Sequence, residues 1–258
     1  MTIVYPLGNR SKWGDFELLY SLRSVQQHLT GYRNIIVIGE KPQFCGHVHC
    51  EVPFTWIPFP DQTKDAQDNV RRKLTYAIES KQVDEEFLLM NDDFFVNRLV
   101  EHAPFDVSKI PYLRSGVLPG KIEHREANAD GSLDVYLESL KLTSAALEAF
   151  GLHQLNFELH VPMRMTKTKL REVLCSFDFA MPRGLLLRSL YGNFVGEPHA
   201  PGWDAKIDYP IDTTDGVMAA IGKRVFFSVG DAGLTYAMKH YLAQQFSPHS
   251  GHFIPPLS

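Results

Sequence analysis

Cysteine is scarce in this chain: Cys45, Cys50 and Cys175 are the only three among 258 residues. So sparse and odd a set builds no disulfide framework, and it points to a reducing compartment. Positive charge is also in deficit, with 26 Lys and Arg against 30 Asp and Glu, a formal net charge of −4. That balance argues against a dedicated nucleic-acid binder, whose phosphate contacts need a cationic surface. No apolar run is long enough for a membrane-spanning helix. Met1 to Pro6 lacks both a basic leader region and a long apolar stretch, so it reads as a first strand rather than a signal peptide. The expected location is the cytoplasm. Repeats and low-complexity tracts are absent as well, and Pro248, Pro255 and Pro256 are too few to make a linker.

What is present is ordinary globular material, 44% hydrophobic and 22% charged, in a chain long enough to bury a large core. The pattern of elements is more informative. Ile3–Leu7 reads as a short strand, followed by the polar turn-forming loop 8–14. Asp15 is placed to cap a helix running to about His28, with Phe16, Leu19, Leu22 and Val25 as its apolar stripe. Asn34–Gly39 and Phe87–Met90 are continuous apolar runs of the kind buried in parallel sheets, and Phe54–Ile57 is a weaker strand. Between them Asp65–Ser80 carries Val70, Leu74 and Ile78 at helical spacing. Alternating strands and helices predict an α/β fold with a Rossmann-like, mostly parallel sheet. Later segments predict helices over Leu133–Phe150, Thr166–Leu174 and Arg183–Tyr191, the last ended by Gly192-Asn193, and strands over Phe157–Met163 and Lys223–Val229. No linker divides the chain, so 1–258 is read as a single catalytic domain with a helical, acceptor-side insert between roughly 98 and 222.

Two motifs invite a metal. Cys45-Gly46-His47-Val48-His49-Cys50 gathers four potential ligands within six residues. No second cluster with zinc spacing follows, and so short a segment rarely wraps a tetrahedral ion, so it reads as a loop. Asn91-Asp92-Asp93 is different because it follows an apolar strand directly. In open α/β sheets, ligands bind outside the carboxyl ends of the strands. Two adjacent carboxylates there repel each other unless a cation compensates. Hard oxygen donors suit Mg²⁺ or Mn²⁺, which complete their shells with water and substrate phosphate. On pattern alone, a strand-to-turn junction rich in Asn and Asp remains the alternative.

The run Phe87-Leu88-Leu89-Met90-Asn91-Asp92-Asp93-Phe94-Phe95 resembles the second conserved region of the Stealth family, sugar-phosphate transferases of bacterial capsule synthesis. Other segments resemble that family in the same order. These are Val4-Tyr5-Pro6-Leu7-Gly8 with Ser11-Lys12-Trp13, the helix Asp15 to Ser24, Phe157 to Met163 with its His shortly before Pro, Arg188 to Asn193, and Phe227 to Asp231. The opening strand carries Pro6-Leu7-Gly8 where the family usually has Trp-Val-Asp-Gly, and Asp231 stands alone where an acidic pair is more usual.

The resemblance implies a glycosyltransferase A-type fold. It makes Asp93 the metal ligand supported by Asp92, and it puts Gly8, Asn9, Ser11 and Lys12 beside the nucleotide. Asp231 becomes a second metal ligand or a base, His160 a general base or phosphate contact, and Arg188 a planar fork for the diphosphate. Without it, His160 is more often a hydrogen-bonded core residue, Arg188 a snorkelling cation and Asp231 a turn residue. Asn69 and Lys73 lie one turn apart on one helix face and are added to the donor site. The basic stretches Arg71-Arg72-Lys73 and Lys167–Arg171 are otherwise solvated faces, and Trp203-Asp204 is a surface loop able to stack on a ring.

Three functions compete. The first is a Mn²⁺- or Mg²⁺-dependent transferase that takes a nucleotide sugar, UDP-sugar foremost, and moves the sugar or sugar phosphate to a hydroxyl. Its acceptor is a saccharide or a hydroxymethylated DNA base. The second is a metal-dependent phosphoesterase, for which the acidic and His ligands are few. The third is a non-catalytic carbohydrate-binding protein.

Overall fold

Strand β1 (Thr2–Leu7) leads through α1 (Phe16–His28) and the short β2 (Leu29–Thr30) to β3 (Asn34–Gly39) and β4 (Thr55–Pro58), and α2 (Ala66–Glu79) returns the chain to β5 (Glu86–Leu89). There follow β6 (Phe94–Val96), β7 (Phe105–Asp106), β8 (Tyr112–Arg114), α3 (Leu118–Ala127), α4 (Val135–Ala149), β9 (Met163–Thr166) and α5 (Lys167–Ser176). The chain closes with α6 (Leu187–Val195), β10 (His199–Pro201), β11 (Lys206–Ile207), α7 (Thr214–Ile221), β12 (Phe226–Val229) and α8 (Tyr236–Gln245). These elements come from a computed structural model that describes residues 1–47, 50–97, 104–127, 134–180, 183–196 and 198–247. No helix among the described residues is long and apolar enough to cross a membrane.

The fold is mixed α/β around a five-stranded sheet ordered β4-β3-β1-β5-β9. Its first four strands are parallel and β9 runs antiparallel to β5. This mostly parallel sheet is compatible with the Rossmann-like arrangement expected from the alternating pattern. Period-two alternation supplies both faces. Val4, Ile36, Ile38, Phe87 and Leu89 enter one buried cluster with α2, while Ile3, Tyr5, Ile35, Val37, Leu88 and Met90 enter another with α1. A third cluster joins Trp13 and Tyr20 to the small sheet β11-β12-β6 and to α7 and α8. Helix α1 is therefore covered on two sides, and every residue from Glu17 to Val25 is buried.

The strand order carries the functional geometry. From β1 the chain moves outward to β3 and β4, then crosses back to place β5 on the other side of β1. The order reverses between β1 and β5, so the loops after Leu7 and Leu89 open onto the crevice that such a reversal creates.

Three predicted elements differ from what forms. Asp15 precedes α1 in a left-handed conformation (φ 60°), and its side chain accepts from the Gln43 N–H instead of capping the helix. The run Phe157–Met163 is not a strand, and only Met163–Thr166 pairs with β5. Side chains satisfy its backbone instead: Phe157 N–H donates to Ser189 Oγ, His160 N–H to Asp204, and the Val161 carbonyl accepts from Arg188, while Pro162 has no donor to offer a ladder. The helix predicted over Arg183–Tyr191 starts later and continues through Gly192 and Asn193 to end at Gly196 (φ 63°). Gly192 lies against the Phe157 ring, with no room for a Cβ. Asn193 is held in the helix by donating to the Ser189 and Leu155 carbonyls.

Within 98–222, β9 completes the central sheet and α5 packs on α2. Helix α4 matches the predicted Leu133–Phe150 segment closely, with Gly151 in the left-handed region beyond it.

Candidate functional site

At the reversal point lies a cavity of about 530 Å³, a size suited to a nucleotide-scale ligand. The loop after β1 contributes Gly8, Arg10 and Ser11, and α1 contributes Glu17. The start of α2 and the loop before it bring Asp61, Asn69 and Lys73, the β5 exit brings Asn91, Asp92 and Asp93, and the β11 and β12 ends bring Lys206, Asp208, Gly230 and Asp231.

The acidic loop is fixed by polar contacts from α1. Tyr5 Oη–H donates to Ser21 Oγ at 2.9 Å, Ser21 donates to the Phe94 carbonyl, and Val96 N–H donates to Ser24 Oγ at 3.0 Å. From the other side, Val229 N–H donates to the Asp93 carbonyl and Ser228 Oγ–H to Asp93 Oδ2 at 2.8 Å. Asp93 is thus held by both the main sheet and the small one.

Six carboxylates line the cavity against three cations, Arg10, Lys73 and Lys206. Two of those cations are already committed: Lys73, almost wholly buried, pairs with Asp61, and Lys206 pairs with Asp208 at 3.1 Å. Asp231 pairs with Lys12 at 2.6 Å on the exposed rim. Among the described residues Glu17, Asp92 and Asp93 form no ion pair of their own, although the Lys206 charge, already paired with Asp208, also acts on Asp93. Burial, the Asp93 charge and then Glu17 and Asp15 push the Asp92 carboxyl up to about 8. Burial raises Asp93 too, against the opposing pull of His160 and Ser228, and burial raises Glu17. Three half-desolvated acids facing one cavity cost free energy that a bound cation would offset.

Among the described residues, no three His, Cys, Asp or Glu side chains are grouped to hold a metal unaided. The donor set fits a hard ion of the Mg²⁺ or Mn²⁺ type, which takes one or two carboxylates and leaves positions for water and phosphate. Of the Cys45–Cys50 segment, Val48 and His49 lie outside the described residues. Cys45 and Cys50 are free thiols, and burial pushes Cys50 up to about 11, away from the thiolate form that binds metals.

The predicted site residues divide into two groups. Gly8, Ser11, Asn69, Lys73, Asp92, Asp93 and Asp231 converge on the cavity. Asn69 lines the wall, its Oδ1 accepting from the Gln62 and Thr63 N–H groups and its Nδ2 donating to the Thr63 carbonyl, so it also shapes the loop before α2. Asn9 is exposed and does not line the wall, and Lys12 reaches the cavity only through Asp231.

Arg188 is buried but is not part of the wall. Its guanidinium donates to the Val161 carbonyl at 2.7 Å and to Asn91 Oδ1 at 3.2 Å, and lies over the Phe94 ring. It therefore orients Asn91 instead of facing the cavity. His160 also sits beyond the wall, edge-on to Phe94, with Nδ1 at 2.7 Å from Asp204 Oδ1. Burial works to raise Asp204, yet the hydrogen bond and charge of His160 hold it down to about 2. An ionised carboxylate can only accept, so the Nδ1 that faces it carries a proton.

Asp61, Lys206, Asp208 and Asp204 were not legible as site residues. Asp61 follows a strand end, which is a usable signal. Asp204 and Asp208 flank, and Lys206 begins, a two-residue strand too short to leave a periodic trace.

Comparison with protein-family models and with curated proteins gives no match.

Proposed function

We propose that this chain is a divalent-metal-dependent transferase of the glycosyltransferase A type. It takes a nucleotide-activated sugar, UDP-sugar foremost, and moves the sugar or sugar phosphate to a hydroxyl acceptor. The observation that carries the reading is the cation-deficient Asp92–Asp93 pair at the β1/β5 reversal. An acidic cavity accepts a diphosphate only with a cation between them. Asp93 and Asp92 would hold that ion, which when bound supplies neutralisation of charge on the leaving phosphate.

The chain's own groups have definable roles around it. Gly8, without a side chain, lets the β1 loop approach the donor, and Arg10 and the Lys12–Asp231 pair border the opening. Ser228 fixes Asp93, and Arg188 fixes Asn91. In the transfer, the acceptor oxygen forms a bond to the anomeric carbon or to the sugar-bearing phosphorus. The bond from that atom to the leaving phosphate oxygen breaks, and its electron pair departs on that oxygen. The acceptor proton passes to His160 Nε2, held by Asp204.

Calorimetry with uridine, guanosine and cytidine nucleotide sugars, with and without Mn²⁺, tests the reading. Mn²⁺-dependent binding of one nucleotide class, lost in Asp93→Asn, is expected. Binding indifferent to Mn²⁺ and to Asp93 overturns it. Released nucleoside diphosphate then marks sugar transfer, and released monophosphate marks sugar-phosphate transfer.

A further inference from the structure

A second cavity, of about 340 Å³, is lined by the loop between β10 and β11 and by the turn before β12. Its wall is mostly apolar: Phe105 and Phe226 stand edge-to-face at 6.1 Å, Leu113 and Val161 add aliphatic surface, and the Trp203 indole joins them. Trp203 is 71% exposed, and with the cavity it forms one apolar surface rather than a lone exposed ring. Its backbone is tied on both sides. Gly202 N–H donates to the Arg114 carbonyl at 2.8 Å, the Asp204 carboxylate accepts from the His160 and Lys206 N–H groups, and the Ala205 carbonyl accepts from the Ser228 N–H.

Among the lining side chains only Trp203 and Arg224 carry polar atoms. Arg224 is half-buried, and among the described residues its guanidinium makes no hydrogen bond or ion pair. Only its backbone is engaged, donating to the Ile221 carbonyl and accepting from Asn97 Nδ2 at 2.9 Å. Such a wall rejects a saccharide or a nucleobase, whose polar groups would lose their water and find few partners. It accepts flat apolar rings, which the three aromatic side chains can stack against or meet edge-on. A partly desolvated guanidinium beside them calls for an anion, and its planar fork matches a carboxylate. The volume is about twice the roughly 150 Å³ that houses a benzene molecule, so two fused rings fit.

We propose that this cavity is a binding site for an aromatic acid of two fused rings, with the rings against Trp203 and Phe226 and the acid group on Arg224. It shares no lining residue with the acidic cavity and does not depend on the transferase reading. It does share a backbone with the His160–Asp204 pair, since Val161 follows His160, and Trp203 and Ala205 flank Asp204. An occupant therefore lies against the segments that carry that pair.

Ligand-observed NMR on the full chain with 2-naphthoate, and with naphthalene-2-methanol as its uncharged counterpart, tests the proposal. Titration of each to about 10 mM reaches the millimolar affinities expected of ligands this small. The wild type should bind the acid saturably, about tenfold or more tighter than the alcohol. Arg224→Gln should weaken the acid about tenfold and leave the alcohol unchanged, and Trp203→Ala should weaken both, each variant keeping the wild-type melting profile. Neither Mn²⁺ nor UDP should alter the binding. No saturable binding of the acid by the wild type, equal affinity for acid and alcohol, or unaltered affinity in the folded variants overturns the proposal. Acid binding that Mn²⁺ promotes or UDP displaces overturns it too, by assigning the ligand to the acidic cavity. The comparison of acid with alcohol uses the wild type alone, so it decides the matter even where a variant fails to fold.

Discussion

Replacing Asp92 by Asn should make the metal-free protein more stable at neutral pH. In the folded state the Asp92 carboxyl is pushed up to about 8 from its ordinary 3.8, by burial first and the Asp93 charge second. Between those values the native state holds a proton that the unfolded chain has lost, so stability falls as pH rises through the window, by at most about 1.4 kcal/mol per pH unit. From about pH 5 to 7 the limit is about 2.7 kcal/mol, and because both carboxylates are only half-buried about 1–2 kcal/mol is the working figure. For a chain of this size that lowers Tm by about 2–8 °C.

Asn keeps the shape, removes the charge and relieves Asp93 as well, so most of the slope should vanish in the variant. Glu17 and Asp15, also raised by burial, leave a residue of the same sign. Carboxylates held low by their partners, Asp84, Asp134 and Asp204 among them, titrate in more acid solution and stay out of the window. Scanning calorimetry in chelator between about pH 5 and pH 8 reads the difference. Parallel slopes for wild type and Asp92→Asn would refute the electrostatic argument, and so would a wild type that gains stability relative to the variant as pH rises. Mn²⁺ should stabilise the wild type increasingly as pH rises, because proton and ion compete for the same oxygens.

The other predictions concern separate parts of the molecule. Lys73→Met strands the Asp61 carboxylate and should cost about 3 kcal/mol in denaturant titration, most of it recovered by adding Asp61→Asn. Gly39→Ala should be worse, above about 3 kcal/mol, since φ is +150° and a Cβ would sit on the Leu7 carbonyl between two central strands. Lys12→Ala should change stability by less than about 0.5 kcal/mol, because both partners of its ion pair are exposed. Asp204→Asn should lower kcat about tenfold or more while leaving Mn²⁺-dependent donor binding intact, as expected if it holds His160 rather than the donor.

Much of the sheet was readable from local pattern. Asn34–Gly39 forms β3 residue for residue, and Val70, Leu74 and Ile78 lie on α2, which Asp65 caps through the Asp68 N–H. Such elements are decided by side chains close in sequence, and continuous apolar runs bury on two faces wherever the sheet places them. Asp92 and Asp93 were legible for the same reason, as charges where an apolar strand ends.

The tertiary structure decided the rest. Only the reversal of strand order brings the β1 loop, Asp61 and the β12 end around that pair, over separations no local spacing encodes. Nothing local distinguishes Arg188 turned toward Asn91 from Arg188 turned toward a cavity, because a guanidinium goes where distant carbonyls and rings receive it. Gly192 was read as a helix end since its neighbour Phe157, thirty-five positions away, was invisible. Periodicity reports which face of a segment is apolar, whereas the partner opposite a polar group is a property of the packed chain.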